Sequence, residues 1–319
     1  MDRSLKTTTP VAGAPALPAD TANVPYTPLA TVAANGIELA YDAFGAPKAP
    51  VLLLIAGLGC QLISFDERFC TRLARRGYRV IRFDNRDIGL STQLDLLKVP
   101  NVRKLLVLKA IGFRVRAPYS LHDMAADTIG LLDALKVRTA HLVGVSMGGA
   151  IAQEAAIHWP QRVRTLTSIM SSTGDAGIPG PTAEALEILM TPSPKEREAF
   201  CSDYRRRWIA LRGAGHPEDE ARDAALAERI FDRGLYRPGL ARQLAAVLAA
   251  PGRRKALGGV KAPALVIHGD ADPLVHVAGG HATHAALPGA ELLVIPGMGH
   301  ALPQRHWPVI IDAIARHAA

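Results

Sequence analysis

The segment 140–150, AHLVGVSMGGA, restricts this chain to few architectures. An apolar run through Leu142, Val143 and Val145 meets Gly144-Val145-Ser146-Met147-Gly148, and small residues follow. A short run of this kind suits a strand covered on both faces of a parallel sheet. The continuation MGGAIAQEAAIHW reads as a helix whose small side chains let it lie close to that strand. A serine at so sharp a turn takes a strained backbone that lifts its hydroxyl above the sheet edge, and the residues two positions away must lack bulk. Gly144 and Gly148 meet that need, so Ser146 stands in the context a nucleophilic serine requires.

A serine hydroxyl is a poor nucleophile at neutral pH unless a base takes its proton and an acid orients the base. Downstream, the strand-like run 264–268 (ALVIH) breaks into Gly269-Asp270-Ala271-Asp272-Pro273, and the run 291–295 (ELLVI) breaks into Pro296-Gly297-Met298-Gly299-His300. Functional groups in open α/β sheets collect beyond the carboxyl ends of strands, so Ser146, Asp272 and His300 fall on one rim. From position alone Asp270 could also face the histidine; otherwise it reads as a turn-capping carboxylate. Of the 11 histidines, His141 and His268 sit in or beside predicted strands and read as structural, while His276, His281 and His284 lie on or near a helix. The His281 and His284 pair mimics a metal-ligand spacing, but no neighbouring acid or cysteine completes a site, so no metal and no cofactor is expected.

The GVSMGG elbow, the order Ser146, Asp272, His300, the tract LLLIAGLGCQLISF and the turn Asp84-Asn85-Arg86-Asp87-Ile88-Gly89-Leu90-Ser91 together resemble the α/β-hydrolase family, over about residues 35–172 and 258–319. Within it the wording is most similar to bacterial carboxylesterases, including those similar to aclacinomycin methylesterase. The resemblance implies a mostly parallel, eight-stranded sheet flanked by helices, with a helical cap insertion. Its Gly-x-x-Asp spacing falls on Gly269 to Asp272 and favours Asp272 over Asp270. It also implies an oxyanion hole from the backbone N–H groups of Met147 and Leu58. The family usually reads His-Gly-x-Gly before that second donor, whereas this chain reads Ala56-Gly57-Leu58-Gly59, which keeps the donor but lacks the loop's usual anchor. The implied chemistry is serine ester hydrolysis through an acyl-enzyme, with Ser146 as nucleophile, His300 as base and Asp272 as orienting acid. An imidazolium cannot act as a base, so such activity should fade in acid. Lactone, carbon–carbon bond and peptide hydrolysis and perhydrolysis would use the same three residues, and a noncatalytic ligand-binding version of the fold is the alternative of another class. Epoxide hydrolases and haloalkane dehalogenases carry an aspartate where Ser146 stands.

Residues 1–28 are rich in Pro, Ala and Thr and read as a flexible tail. Asn35-Gly36 marks a hairpin between two early strands. Strands are predicted at 51–55, 78–84, 141–145, 163–170, 264–268 and 291–295, and helices at 66–76, 122–136, 147–158, 276–287 and 303–317, an alternation that argues a parallel sheet covered on both faces. The catalytic core is expected at 29–172 and 256–319. Between them, 173–255 is rich in Ala, Leu and Arg with no strand signal and reads as the cap. Leu189, Met190, Tyr204, Trp208 and Phe231 are its candidates to line a substrate pocket, with Cys60 and Leu274 from core loops.

Hydrophobic residues make up 49% and charged residues 21%, enough apolar surface for a folded core. The net charge of +8 is mostly spread among acids, which argues against nucleic-acid binding. One segment departs from this: 96–122 carries Lys98, Arg103, Lys104, Lys109, Arg114 and Arg116 and no acid, interleaved with apolar residues. We read it as a mobile entrance or lid element, with a plain solvated loop and a membrane-surface contact as alternatives. Three cysteines without a metal-type pair suggest reduced thiols. No stretch reads as a membrane span, and the first residues lack the apolar core of a signal peptide, so a cytoplasmic protein acting on a small ester is expected, its oligomeric state open.

Overall fold

The computed structural model describes residues 9–10, 23–213 and 217–319, so most of the predicted tail lies outside the described residues. Strand β1 (Tyr26–Ala34) and β2 (Ile37–Phe44) pair antiparallel around Asn35 and Gly36, both at positive φ (47° and 81°), as a two-residue hairpin of this twist demands. The strand begins inside the stretch read as tail. Tyr26 donates its hydroxyl to Asp42 and packs 5.0 Å from Phe44, and Pro28 falls at a register irregularity between Thr27 and Ala30, where a missing ladder donor costs little. Proline content there reads as loop; the bulge accommodates it instead.

The remaining strands are β3 (Val51–Ile55), β4 (Arg79–Phe83), β5 (Ala140–Val145), β6 (Val163–Ile169), β7 (Ala264–Gly269) and β8 (Glu291–Ile295). They lie in the order β1-β2-β4-β3-β5-β6-β7-β8, with the two-residue stretch Thr9–Pro10 pairing against the outer edge of β1. Thr9–Pro10 with β1, β1 with β2 and β2 with β4 pair antiparallel; from β4 to β8 every pairing is parallel. Alternate residues of the central strands serve opposite faces. Leu53, Ile55, Leu142 and Val266 join α3 (Leu121–Ala134) and α4 (Met147–His158) in one core layer. Leu52, Leu54, Val143 and Ile267 join α1 (Glu67–Ala74) and α11 (Trp307–His317) in the other. The apolar runs in the sequence therefore mark strands buried on both sides.

Helix α2 (Val102–Ala110) lies between β4 and α3. Between β6 and β7 the chain forms α5 (Ala183–Met190), α6 (Arg197–Arg212), α7 (Glu220–Asp232) and α8 (Arg237–Ala249), followed by the short α9 (Arg254–Leu257); α10 (Ala278–Ala286) then joins β7 to β8. Three arginines of this insertion meet three acids of the sheet half. Arg229 bonds Glu67 at 2.6 Å, Arg233 bonds Asp84, and Arg242 forks onto Asp87 with two contacts of 2.8 Å, both partners fully buried. Bidentate pairing fixes direction as well as proximity, so these contacts orient the helices over the carboxyl ends of the strands.

Buried in β5, His141 has its Nδ1 3.0 Å from Thr165 and its Nε2 without a partner. Burial first, then the Arg164 and His317 charges, push its pKa down to about 4. The unfolded chain, near 6.5, binds the proton earlier, so His141 contributes stability that is complete above about pH 6.5 and is lost as pH falls toward 4. We expect Tm to drop over that window, and His141→Asn to flatten this part of the profile, as thermal melts across a pH series would read. An unchanged slope in the variant would exclude the assignment.

Candidate active site

Ser146 closes β5 and opens α4 with φ 56° and ψ −119°, a region that L-residues rarely occupy. The neighbours show why the turn is built from glycine. A Cβ on Gly148 would stand 2.0 Å from the Ile55 carbonyl oxygen, and one on Gly144 would stand 2.1 Å from that of Gly148. The Ser146 N–H donates to Ile169 O at 2.9 Å, which ties the elbow to β6.

Beyond β8, His300 reaches back to the elbow. Its Nε2 lies 2.9 Å from Ser146 Oγ, and its Nδ1 lies 2.7 Å from Asp272 Oδ2. With the ring proton on Nδ1, that nitrogen donates to the carboxylate and Nε2 accepts the serine hydroxyl. The backbone of this loop is held by the insertion: Gly299 N–H donates to Arg212 O and His300 N–H to Leu211 O, at 2.8 and 2.6 Å. A Cβ on Gly299 would fall 2.4 Å from Leu211 O, so only glycine permits the approach.

Asp272 is buried, and its Oδ1 accepts the Leu274 and Val275 amides at 2.9 and 2.8 Å. Burial alone would raise its pKa; the adjoining His300 ring and donors from His268, His300 and the Val275 amide outweigh that and hold the carboxyl well below the usual carboxylate range. His268 Nε2 lies 2.7 Å from Val275 O and 3.4 Å from Asp272, so it braces the acid's loop. Asp270 turns away and accepts the Gly297 amide at 2.7 Å.

Leu58 lies in the turn after β3. On one side Gly59 N–H donates to Gln243 Oε1 at 3.0 Å; on the other Asn85 donates to Ala56 O at 3.1 Å. Gln243, on α8 and fully buried, also donates to Arg86 O at 2.9 Å. These side chains hold the loop that carries Leu58. Met147 is the first residue of α4, so its N–H is among the donors that a helix start leaves without an intrahelical acceptor.

Ser146 and His300 open onto a cavity of about 310 Å³ between the sheet and the inserted helices. Of the candidates, Cys60, Leu189, Tyr204, Trp208 and Leu274 line this cavity. Met190 and Phe231 do not. One residue past Leu189, Met190 is rotated about 100° around α5, and Ile188 faces the space instead. Phe231 packs on Phe200 at 5.7 Å, under the Arg197 guanidinium. Leu240 and Ile230, which periodicity did not single out, also line the space. No residue of 96–122 lines the cavity; α2 leans on α8, with Lys109 bonded to Leu248 O at 2.7 Å. Burial pushes the Cys60 thiol up to about 11, and all three cysteines are free.

Among the described residues, one His/Glu group has metal-like proximity: His122, Glu154 and His158, with ligand atoms within 4.8 Å of one another. His158 faces Glu154 at 3.3 Å and His122 stacks on Trp159, a clasp between α3 and α4 remote from the cavity-lining residues. His281 and His284 belong to no such group.

A family model described as the alpha/beta hydrolase fold matches residues 50–303. A rhodomycin D methylesterase of Streptomyces peucetius is 29% identical over 313 residues, covering 91% of this chain and 98% of that protein. A pimeloyl-(acyl-carrier protein) methyl ester esterase of Xanthomonas oryzae is 32% identical over 214 residues, 63% of this chain and 76% of its own. Among solved structures, a 2-hydroxy-6-oxo-6-phenylhexa-2,4-dienoate hydrolase from Rhodococcus superposes with a TM-score of 0.73 at 18% identity, covering 92% of this chain and 99% of that one, a likeness of fold.

Proposed function

The chain belongs to the α/β-hydrolase family, and from that premise we propose that it hydrolyses carboxylic esters through an acyl-enzyme on Ser146. The observation that carries the reading is the hydrogen-bonded run Ser146, His300, Asp272 at the wall of the cavity. His300 Nε2 takes the hydroxyl proton as Ser146 Oγ bonds to the ester carbonyl carbon. The carbonyl oxygen becomes an oxyanion held by the N–H groups of Leu58 and Met147. When the tetrahedral species collapses, the carbon–oxygen bond to the alcohol breaks and His300 passes its proton to that alcohol. Water then gives a proton to His300 as it attacks the acyl carbon, and a second collapse returns Ser146 and releases the acid. Asp272 stays ionised throughout and holds the ring in the tautomer these transfers need.

In this reading residues 173–255 are the cap, and the core comprises 29–172 and 256–319. A cavity of about 310 Å³ with a largely aliphatic and aromatic wall suits an apolar organic ester of modest size. Methyl esters of bulky acids are the first substrate class to offer, since two relatives are named for methyl ester cleavage. Three free thiols fit a cytoplasmic enzyme. The test is a panel of aryl esters of increasing acyl length beside methyl esters of bulky acids, with a fluorophosphonate probe to label Ser146. A folded sample inert toward every ester and unlabelled would defeat the proposal; tight ligand binding without labelling would favour a binding protein.

Gln243 should matter without touching substrate. Gln243→Leu leaves the half-buried Gly59 N–H and the buried Arg86 C=O without their side-chain partner, at about 1–3 kcal/mol for the buried carbonyl and less for the amide, and loosens the turn carrying the Leu58 donor. We expect kcat to fall by about tenfold or more, bounded by the roughly 10²–10³ lost when an oxyanion donor is removed, with KM changed less. Steady-state kinetics read the split; an equal rise in KM at constant kcat would place Gln243 in substrate binding instead.

A further inference from the structure

We propose that residues 94–116 form a docking surface for anionic lipid bilayers. Leu96, Val99, Val107, Ile111 and Phe113 all stand in solvent, Val107 at 60% and Phe113 at 63% exposure, and they make up five of the nine large exposed apolar side chains among the described residues. Interleaved with them, Lys98, Arg103, Lys104, Arg114 and Arg116 are exposed, and none has a carboxylate partner among the described residues. By contrast, Arg229, Arg233 and Arg242 of the insertion each meet a carboxylate. No acid lies between Asp95 and Asp123 to neutralise the stretch.

The segment is fixed in place. Arg242 donates to Leu97 O at 3.1 Å, Tyr236 bonds Asp95, and Tyr119 is buried at the far end. Along α2, Leu105, Leu106 and Leu108 are half-buried, and Lys109 spends its ammonium on Leu248 O. With the inward side occupied, the outward apolar residues have no partner of their own. Clustered exposed apolar groups mark an interaction site when they gather in one place, and cations among them select the occupant. A bilayer with anionic headgroups satisfies both: apolar side chains enter the headgroup boundary while lysines and arginines meet the phosphates. The cytoplasmic leaflet carries that negative charge. No helix of the described residues is long and apolar enough to cross a membrane, so the contact is peripheral. Contacts run from this surface through α8 to the Gly59 turn, and the enzyme would meet apolar esters where they partition. The docking itself does not depend on the ester reading.

The test is flotation of the full chain with phosphatidylcholine vesicles, with and without phosphatidylglycerol, at low and high salt. We expect recovery with the anionic vesicles only, weakened by salt. A triple Lys98→Glu, Arg103→Glu, Lys104→Glu variant should lower the vesicle partition by at least about 100-fold, at roughly fivefold for each cation lost and more from the repulsion of the new carboxylates. A Val107→Asp, Phe113→Asp variant should lose binding with every cation intact. Both should keep the wild-type melting temperature and circular dichroism. Wild-type protein that fails to float, or variants that float as well as wild type, would overturn the proposal. So would a dimer, seen by analytical ultracentrifugation and abolished by these variants, from a protein that ignores vesicles, since a second copy would then be the occupant.

Discussion

Ser146→Ala is expected to lower kcat on the order of 10⁶ while leaving the melting temperature unchanged. The magnitude follows from removing the only atom that can form the acyl bond; the best-studied serine triad loses about that much, near 8 kcal/mol of barrier. Alanine occupies the same positive φ at the same strain as serine, and the Ser146 N–H bond to Ile169 O does not involve the side chain, so the elbow persists. Residual turnover above the uncatalysed rate should remain, because in the proposed mechanism the N–H groups of Leu58 and Met147 still face the oxyanion when water attacks. Cys60, the nearby sulfur, cannot stand in. Its thiol, pushed up to about 11, stays protonated at neutral pH, and the thiolate is the reactive form. The measurement is single-turnover and steady-state hydrolysis of an activated aryl ester, with fluorophosphonate labelling in parallel. A variant retaining more than about 1% of kcat would mean that the nucleophile lies elsewhere.

What could be read from the chain was whatever is encoded locally. The central strands announced themselves as apolar runs because both faces are covered, and β3 and β8 fall at the predicted bounds. Asn35-Gly36 declared its hairpin because few other residues accept two successive positive φ values. The elbow was legible for the same reason: Gly144 and Gly148 are required by backbone crowding within the motif. Contacts between distant segments left no local trace. Arg242 and Asp87 lie 155 positions apart, and Gln243 and Gly59 lie 184 apart; nothing in either stretch names the other. A hint existed in the turn 84–91, where Asp84, Arg86 and Asp87 crowd into four residues, and buried charge demands a partner. Met190 stands outside the cavity wall because helix phase, unreadable without knowing which face meets the sheet, turns it aside. The cationic run 96–122 was legible as unusual, but whether its apolar members pointed inward or outward depended on what α8 already covered.

Asp272→Asn should cost kcat on the order of 10⁴ with little loss of stability. The carboxylate has two jobs, and an amide of equal size can keep only one. Its Oδ1 accepts the Leu274 and Val275 amides, and an asparagine carbonyl can still do so, which preserves the loop. Its Oδ2 accepts His300 Nδ1–H, and the asparagine NH₂ that replaces it is a donor. Facing a donor, the ring moves its proton to Nε2, and a protonated Nε2 cannot accept the Ser146 hydroxyl. The charge that would stabilise the imidazolium in the transition state is lost as well. KM should move far less than kcat, since Asp272 does not line the cavity. Asp270→Asn supplies the contrast: that side chain caps the Gly297 amide, and the variant should keep nearly all of its kcat. A merely structural Asp272 would lower the melting temperature and KM-dependent rates together. If Asp272→Asn kept kcat within about tenfold while Asp270→Asn lost it, the orienting acid would be Asp270, and the hydrogen bond at 2.7 Å would have no part in the chemistry.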